Sequence, residues 1–271
     1  MEMEQITRLT TLGHPGRMGA YRLLVRRYPD YVASGDLAKA LGFKLNTMSV
    51  YLGALHRAGL IEQKRDGRSL LYRFDQVGAD SLVGYLFDDC CRGRPSHCIP
   101  SQAVLHRIGK RPRVLFLCTG NSARSIFAEV ILRDLAGDQF EVYSAGTKPA
   151  VALNPTALQM LRDKGHQVSG LQPKHVSVLK GERFDFIFTV CDLAANEECA
   201  TWPGLPISAH WGLPDPVRTT GTDAEKNLSY QCVYGELHRR LSQFAALDLS
   251  ALDRLSLQHV IDEIPLTGDP E

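Results

Sequence analysis

Long apolar runs, low-complexity tracts and internal repeats are missing from this sequence. No stretch of its 271 residues approaches the roughly 18 apolar residues that a bilayer-spanning helix needs. The first ten residues, MEMEQITRLT, carry acids where a signal peptide would have a basic start and an apolar core. Glycine and proline are not in excess, which is typical of a globular chain rather than a disordered one. We therefore expect a soluble, cytoplasmic protein with no membrane partner.

Cysteine is absent from the first 89 residues and then recurs at apparent functional points. In a reducing compartment such thiols bind a soft ion or do redox chemistry more readily than they form structural disulfides. The seven cysteines are Cys90, Cys91, Cys98, Cys118, Cys191, Cys199 and Cys232. Cys232 lies in a helical pattern and is most simply a packed apolar residue.

Charge divides the chain in two. Residues 1–110 contain 16 Lys and Arg against 10 Asp and Glu, a net charge of +6, and the remainder has a net charge of −5. A basic first half suits contact with a polyanion such as DNA. A solvated basic face explains the same excess.

The first part of the chain is predicted to be mainly helical. Helical patterns are followed by two β-rich runs around Asp66-Gly67, a strong hairpin signal. The predicted elements are helices at 17–27, 36–41 and 47–57, with Asn46 or Thr47 as the cap of the third, strands at 60–64 and 69–74, and a helix at 81–89. This is the order of a winged helix-turn-helix.

The second part alternates strands and helices. Apolar runs at 114–117, 141–143, 184–190 and 206–210 are separated by helical patterns, which predicts an α/β domain with a central parallel four-stranded sheet. We place the winged-helix domain at 1–90, a linker at 91–111, the α/β domain at 112–265 and a tail at 266–271. A short helix is expected at 103–108 within the linker.

Polar residues in the third helix and basic residues in the hairpin form a candidate DNA surface. The helix would enter the major groove, and the hairpin tip would pair with phosphates. The candidate DNA-binding residues are Asn46, Thr47, Ser49, Tyr51, Lys64, Arg65 and Arg68. A helical domain with a solvated hairpin and another partner is the alternative.

Three stretches of this part resemble the ArsR family of metal-sensing repressors. They are Leu12-Gly13-His14-Pro15-Gly16-Arg17, the stretch Thr47–Leu60 that ends in Arg57-Ala58-Gly59-Leu60, and Gly67-Arg68-Ser69-Leu70-Leu71-Tyr72. The resemblance covers about residues 5–90. It implies a homodimer through the first and last helices, and release from operator DNA on ligand binding. The sequence has Tyr51 at a position where histidine is common in the family. The operator sequence therefore does not follow from the resemblance.

Cys90, Cys91 and Cys98 form a candidate arsenite site. Three thiolates suit the soft, trigonal As(III) ion, and a subset of the ArsR family is similar in having an adjacent cysteine pair with a third cysteine. Exposed linker thiols are the plainer alternative. Zinc would need a fourth ligand such as His97.

The strongest local signal is the segment from Val114 to Ser125. A buried strand ends at Cys118, small residues follow, and a helix begins near Ala123, so that backbone amides and a helix N-terminus would face a bound oxyanion. The same field is expected to lower the pKa of Cys118 and make it a thiolate nucleophile. The predicted oxyanion-binding residues are Thr119, Gly120, Asn121, Ser122, Ala123, Arg124 and Ser125, with Arg124 as a bidentate clamp.

Asp215 precedes Pro216 in a predicted loop. A carboxylic acid facing the nucleophile could protonate a leaving oxygen, although a lone Asp-Pro is more often an ordinary turn.

Residues 111–265 resemble low-molecular-weight tyrosine phosphatases and, more closely, the arsenate reductases of that fold. Val217 stands where phosphatases usually have tyrosine, and Ala123 and Ile126 replace a common cysteine and proline. Cys191 with Cys199 resembles the redox pair of the reductases. Cys191 alone could also be a buried core thiol.

The resemblance implies a cysteine relay. Cys118 attacks arsenate, Arg124 binds its oxygens and Asp215 acts as the acid. Cys191 then attacks Cys118 and arsenite leaves, after which Cys199 forms a disulfide with Cys191. No covalently bound cofactor is expected. The relay does need an external reductant, which would be thioredoxin, a glutaredoxin or a low-molecular-weight thiol.

Taken together, the sequence predicts an arsenite-responsive repressor fused to an arsenate reductase, and residual phosphatase-type activity is compatible with this prediction. A product-driven switch would follow if the enzyme supplied arsenite to the sensor of its own chain. The rivals are a regulator with a degenerate oxyanion-binding domain and a repressor fused to a phosphatase that acts on phosphoesters.

Overall fold

The structure, a computed structural model, describes residues 2–92, 111–197 and 202–267. The chain divides into two compact units, Met1–Leu105 and His106–Glu271. Every helix in the described ranges is too short or too polar to cross a bilayer. The linker helix expected at 103–108 lies outside the described residues.

The first unit is mainly helical. Its helices are α1 (Glu2–Leu12), α2 (Pro15–Arg26), α3 (Ser34–Ala40), α4 (Leu45–Arg57) and α5 (Gln76–Tyr85), and a π-helical turn follows α5 at Leu86–Cys90. Helix α1 is absent from the sequence predictions, because its apolar residues Met3, Ile6 and Leu9 are exposed rather than packed in the core. Helix α5 begins before the predicted residue 81, where the Asp75 side chain accepts the Gly78 N–H.

The N-terminus of α4 differs from its prediction. The helix starts at Leu45 after Lys44, whose side chain makes no capping hydrogen bond. Asn46 and Thr47 therefore lie in the first helical turn, and the prediction that one of them caps the helix is wrong. The core beneath α4 is a cluster of buried apolar side chains from the helices and the small sheet, and its members from α2, α3 and α4 include Leu23, Leu24, Leu37, Met48, Leu52 and Leu55.

A small antiparallel sheet completes the first unit. Its strands are β1 (Val32–Ala33), β2 (Ile61–Asp66) and β3 (Ser69–Phe74), in the order β1-β3-β2. Asp66 pairs with Ser69 across the hairpin turn, and Gly67 there has φ +55°, a left-handed value that glycine adopts without strain. The predicted hairpin is confirmed at this position.

The second unit contains a four-stranded parallel sheet, as predicted. Its strands are β4 (Arg113–Cys118), β5 (Glu141–Gly146), β6 (Phe186–Thr189) and β7 (Ile207–His210), in the order β5-β4-β6-β7. All neighbouring pairs are parallel. Strand β4 is central, and Val114 to Leu117 are fully buried, which explains their unbroken apolar run.

Within the described residues, five helices lie around this sheet. They are α6 (Arg124–Ala136), α7 (Pro155–Asp163), α8 (Asp192–Asn196), α9 (Asp223–Ala245) and α10 (Arg254–Glu263). The carboxyl ends of parallel strands meet at one edge of a sheet. Cys118 ends β4, Cys191 follows β6, and the loop with Asp215 follows β7. The topology therefore brings these three predicted residues to the same edge.

Candidate active site

The loop from Cys118 to Arg124 turns its carbonyl groups away from a central cradle. The carbonyl oxygens of Cys118, Thr119, Gly120 and Ser122 accept N–H groups from Thr147, Lys148, Ala150 and Asn154, respectively. Carbonyls held outward in this way leave the loop amides free to face inward, as an anion-binding nest requires. Helix α6 begins at Arg124, and its N-terminus adds positive potential at the same place.

The sulfur of Cys118 lies at the centre of this cradle. It is buried, accepts the backbone N–H of Asn121 at 3.0 Å, and lies 2.9 Å from the hydroxyl oxygen of Ser125. Burial raises the pKa of the Cys118 thiol, and these two hydrogen bonds lower it by less. The expectation of a lowered pKa is therefore wrong, because loss of solvent outweighs the local dipoles.

Asn121 holds the cradle in shape. Its φ is +45°, in the left-handed region that asparagine tolerates better than most residues. Its side-chain amide donates to the hydroxyls of Ser125 (2.9 Å) and Ser144 (2.8 Å), and its side-chain oxygen accepts the backbone N–H of Lys174 (2.8 Å). The side chain is fully buried and makes a hydrogen bond with each of its polar atoms.

A buried carboxylate extends this network and was not singled out from the sequence. The Ser144 hydroxyl donates to Glu129, whose other neighbours are the Nζ of Lys174 at 3.8 Å and Arg133 Nη1 at 3.7 Å. Glu129 is on α6, Ser144 on β5 and Lys174 in a later loop. The only sequence signal was an acid on the buried face of α6, since its partners come from elsewhere in the chain.

Gly146 allows the strand β5 to approach the loop closely. A Cβ atom there would lie 2.5 Å from the carbonyl oxygen of Thr119 and 3.0 Å from the backbone nitrogen of Asn121. Both are backbone atoms of the cradle and cannot swing aside. Any larger residue must therefore displace the loop.

Arg124 and Asp215 form an ion pair beside the cradle. Arg124 Nη2 lies 3.1 Å from the Asp215 carboxylate, and its Nη1 donates to the carbonyl of Leu213 at 2.9 Å. Arg218 Nε approaches the same carboxylate at 3.5 Å. The predicted clamp and the predicted acid therefore lie together, and Asp215 also accepts the Val217 N–H as the cap of a short 3₁₀ turn.

Cys191 lies next to the cradle at the start of α8. Its thiol sulfur is buried, lies 3.3 Å from the Thr119 hydroxyl oxygen and accepts the Ala194 N–H at 3.4 Å. Thr119 thus links the two buried thiols of the site. Cys199 lies outside the described residues. Cys232 is exposed, so the prediction that it packs in the core is wrong.

The exposed face of α4 in the first unit carries part of the predicted DNA surface. Asn46 and Ser49 are exposed and Thr47 is half-buried. The ring of Tyr51 instead packs against His14 (centroids 4.9 Å apart) and Phe43 (5.4 Å), so its ring belongs to an aromatic cluster. Lys64, Arg65 and Arg68 are exposed on the β2–β3 hairpin.

The candidate arsenite thiols are only partly described. Cys90 is exposed and free. Cys91 is disulfide-bonded, which differs from the expectation of reduced thiols. Cys98 and His97 lie outside the described residues.

Known proteins resemble the second unit. Residues 113–256 match the family model of the low molecular weight phosphotyrosine protein phosphatases. An arsenate reductase of Bacillus subtilis (strain 168) is 37% identical over 132 residues, which are 49% of this chain and 94% of that protein. One from Halalkalibacterium halodurans is 35% identical over the same shares. A crystal structure of arsenate reductase from Archaeoglobus fulgidus has a TM-score of 0.41 and 26% identity, and covers 49% of this chain and 99% of its own.

Proposed function

The chain belongs to the low molecular weight phosphotyrosine protein phosphatase family through residues 113–256, and we propose that this unit reduces arsenate to arsenite. The observation that carries the proposal is a second buried thiol beside the nucleophile. Cys191 lies 3.3 Å from the Thr119 hydroxyl, within the loop that begins at Cys118. Phosphate ester hydrolysis needs one thiolate and water, whereas reduction of As(V) needs two electrons from a thiol pair.

The first step is the formation of a sulfur–arsenic bond. The Cys118 thiolate attacks arsenate, Arg124 and the inward loop amides hold its oxygens, and a proton from Asp215 lets the displaced oxygen leave as water. Asp215 lies 3.1 Å from Arg124, which supports the assignment of both residues to one anion site. The two hydrogen bonds at the Cys118 sulfur stabilise the thiolate form.

The second step transfers the electrons. The Cys191 thiolate attacks the Cys118 sulfur, a disulfide forms, and the sulfur–arsenic bonding pair stays on arsenic, which leaves as As(III). By the family resemblance, Cys199 next attacks Cys191, which frees Cys118 and leaves a Cys191–Cys199 disulfide. A dithiol protein of the thioredoxin type, or a glutaredoxin or small thiol, then returns the two electrons by exchange.

One pair of assays separates reductase from phosphatase. Cys118→Ser should abolish both arsenate reduction and aryl phosphate hydrolysis. Cys191→Ser should abolish arsenate turnover and leave aryl phosphate hydrolysis within about twofold, because it removes only the second electron donor. Cys232→Ser is the matched control and should change neither. Full arsenate turnover by Cys191→Ser would contradict the proposal and favour a different reductive route.

We propose further that the first unit binds operator DNA as a winged helix. The exposed face of α4 would enter the major groove, and the three basic residues of the β2–β3 hairpin would contact phosphates. Support comes from the exposure of Asn46, Ser49 and the hairpin cations, and from the net charge of +6 in residues 1–110. Replacing Lys64 by Ala should weaken binding to all sequences alike and lower the salt slope by about one.

The same unit would act as a homodimer. Helices α1 and α5 contact each other and, with the π-helical turn after α5, expose apolar side chains that the core of the unit does not cover. On the helices these side chains are Met3, Ile6, Leu9 and Val83, and on the turn Leu86. A second copy is the occupant that the ArsR resemblance implies. Sedimentation of the full chain should give a dimer, and Ile6→Glu should give a monomer.

Arsenite would be the effector, bound by Cys90, Cys91 and Cys98 in their reduced form. Three thiolates match the ligand preference of As(III). Under a strong reductant, arsenite should release a DNA duplex from the wild-type chain and should not release it from Cys90→Ser. Equal release from both would remove Cys90 from the site, and a response to Zn²⁺ instead would favour the zinc alternative.

A further inference from the structure

The face of α4 that points away from the core presents a mixed set of side chains. Buried Met48, Leu52 and Leu55 mark the inner face. The residues on the opposite face, at three- and four-residue spacing, are Asn46, Ser49, Val50, Gly53 and Arg57. The Ser49 hydroxyl already donates to the Leu45 carbonyl at 3.0 Å. Asn46 and Val50 are therefore the side chains on this face with the most freedom to specify a ligand.

The charge around this face suits a polyanion. Helix α4 contains no Asp or Glu, Lys44 precedes its first turn, and Arg57 ends it. The hairpin that follows contributes three further exposed cations. A protein partner of acidic surface would satisfy these charges too, but a duplex alone combines a regular row of phosphates with a groove that admits a helix.

Val50 is the unexplained residue of the face. It is 67% exposed, its branched side chain is a poor choice for a solvated helix, and it lies one turn after Asn46. Within a major groove the only methyl group on an unmodified base edge is that at C5 of thymine, and it is the largest apolar group there. It is therefore the base group that best complements an aliphatic side chain set among polar and basic ones.

We infer that Val50 reads the methyl group of a thymine, which deepens the proposed DNA binding and rests on it. Asn46, four residues earlier, lies about 6 Å away along the helix. That distance spans about two base-pair steps, so the thymine lies within two base pairs of the base that Asn46 contacts. Val50 is thus a specificity-determining residue for the operator.

Uracil substitution tests this inference, because it removes the methyl group and nothing else. Duplexes are first selected from a random pool with the full-length wild-type chain under reducing conditions. Each thymine of the selected site is then replaced by deoxyuridine, and Kd is measured at fixed salt. One thymine per half-site should show about a fourfold loss of affinity, the effect of exposing one methyl group.

Variants assign that loss to the residue. Val50→Ala should bind the thymine and uracil duplexes within about 1.5-fold of each other. Val178→Ala removes a similarly exposed valine (65%) from the second unit and should keep the fourfold difference. A fourfold difference retained in Val50→Ala, or no uracil-sensitive position in the wild type, overturns the inference while DNA binding stands. Failure to select any duplex overturns the proposed DNA binding itself.

Discussion

Replacing Asn121 tests whether its side chain holds the oxyanion cradle together. The residue makes three buried side-chain hydrogen bonds and has φ +45°. In Asn121→Ala the hydroxyls of Ser125 and Ser144 and the Lys174 N–H each lose a partner. At about 1 kcal/mol for each buried group, the free energy of unfolding should fall by about 3 kcal/mol. Alanine in the left-handed region adds about 1 kcal/mol.

Asn121→Gly separates these two causes. Glycine loses the same three hydrogen bonds but adopts φ +45° without strain, so it should be more stable than Asn121→Ala by somewhat less than 1 kcal/mol, because its unfolded chain is also more flexible. Asn227→Ala, on the exposed start of α9, is the matched control and should stay within about 0.5 kcal/mol of the wild type.

The assay can follow the second unit alone. Both tryptophans of the chain, Trp202 and Trp211, lie in this unit, so tryptophan fluorescence during urea unfolding does not report on the first. Arsenate turnover measured beside it should fall at least tenfold in both Asn121 variants. If either variant unfolds within 0.5 kcal/mol of the wild type, the network does not hold the loop. If the free energy of unfolding of Asn121→Ala is no lower than that of Asn121→Gly, the left-handed backbone at residue 121 does not constrain the choice of residue.

Further predictions concern packing, pH and coupling. Gly146→Ala should lower arsenate turnover at least tenfold by displacing the loop, whereas Gly235→Ala, whose Cβ would meet only open space, should not change it. Burial raises the pKa of Asp262 from its ordinary 3.8 to about 6, so its charged form lowers stability increasingly as the pH rises above about 4, and fully above about 7. Asp262→Asn should therefore raise the free energy of unfolding by about 3 kcal/mol at pH 8 and leave it nearly unchanged at pH 3. Because burial also raises the pKa of Cys118, its alkylation by iodoacetamide, followed by peptide mass spectrometry, should still accelerate as the pH rises above 7, and a plateau already reached near pH 7 would contradict this. If the enzyme feeds its own sensor, arsenate plus reductant should release DNA from the wild type and not from Cys118→Ser, and equal release would exclude it.

Local patterns were enough to predict the centre of the second unit. The apolar run at 114–117 is typical of a strand buried on both faces, and the small residues after Cys118 indicate a tight loop into α6. Cys118 and Arg124 follow from this strand-loop-helix pattern, whereas the role of Asp215 came from the family resemblance, because a lone Asp-Pro is more often an ordinary turn. The sequence also predicted the hairpin of the first unit, where Asp66-Gly67 determines the turn.

Features that depend on distant parts of the chain were not predictable in this way. Glu129, Ser144 and Lys174 come from three separate elements, and no spacing relates them. The direction of the Cys118 pKa shift depends on how completely the fold excludes water, which the loop sequence does not encode. Tyr51 was assigned to DNA because it is polar and lies in α4, but Gly16 leaves room for its ring against α2.

The position of Cys191 has a consequence for the order of the thiol steps. Its sulfur caps α8 by accepting the Ala194 N–H, and α8 is only five residues long. A helix of that length has little stability of its own and depends on its cap and its packing. In the relay proposed above, the Cys191 sulfur would leave this cap when it bonds to Cys118, so formation of the first disulfide would loosen α8. Within the described residues, the segment Asp192–Asn196 would therefore bend more easily only after that disulfide has formed.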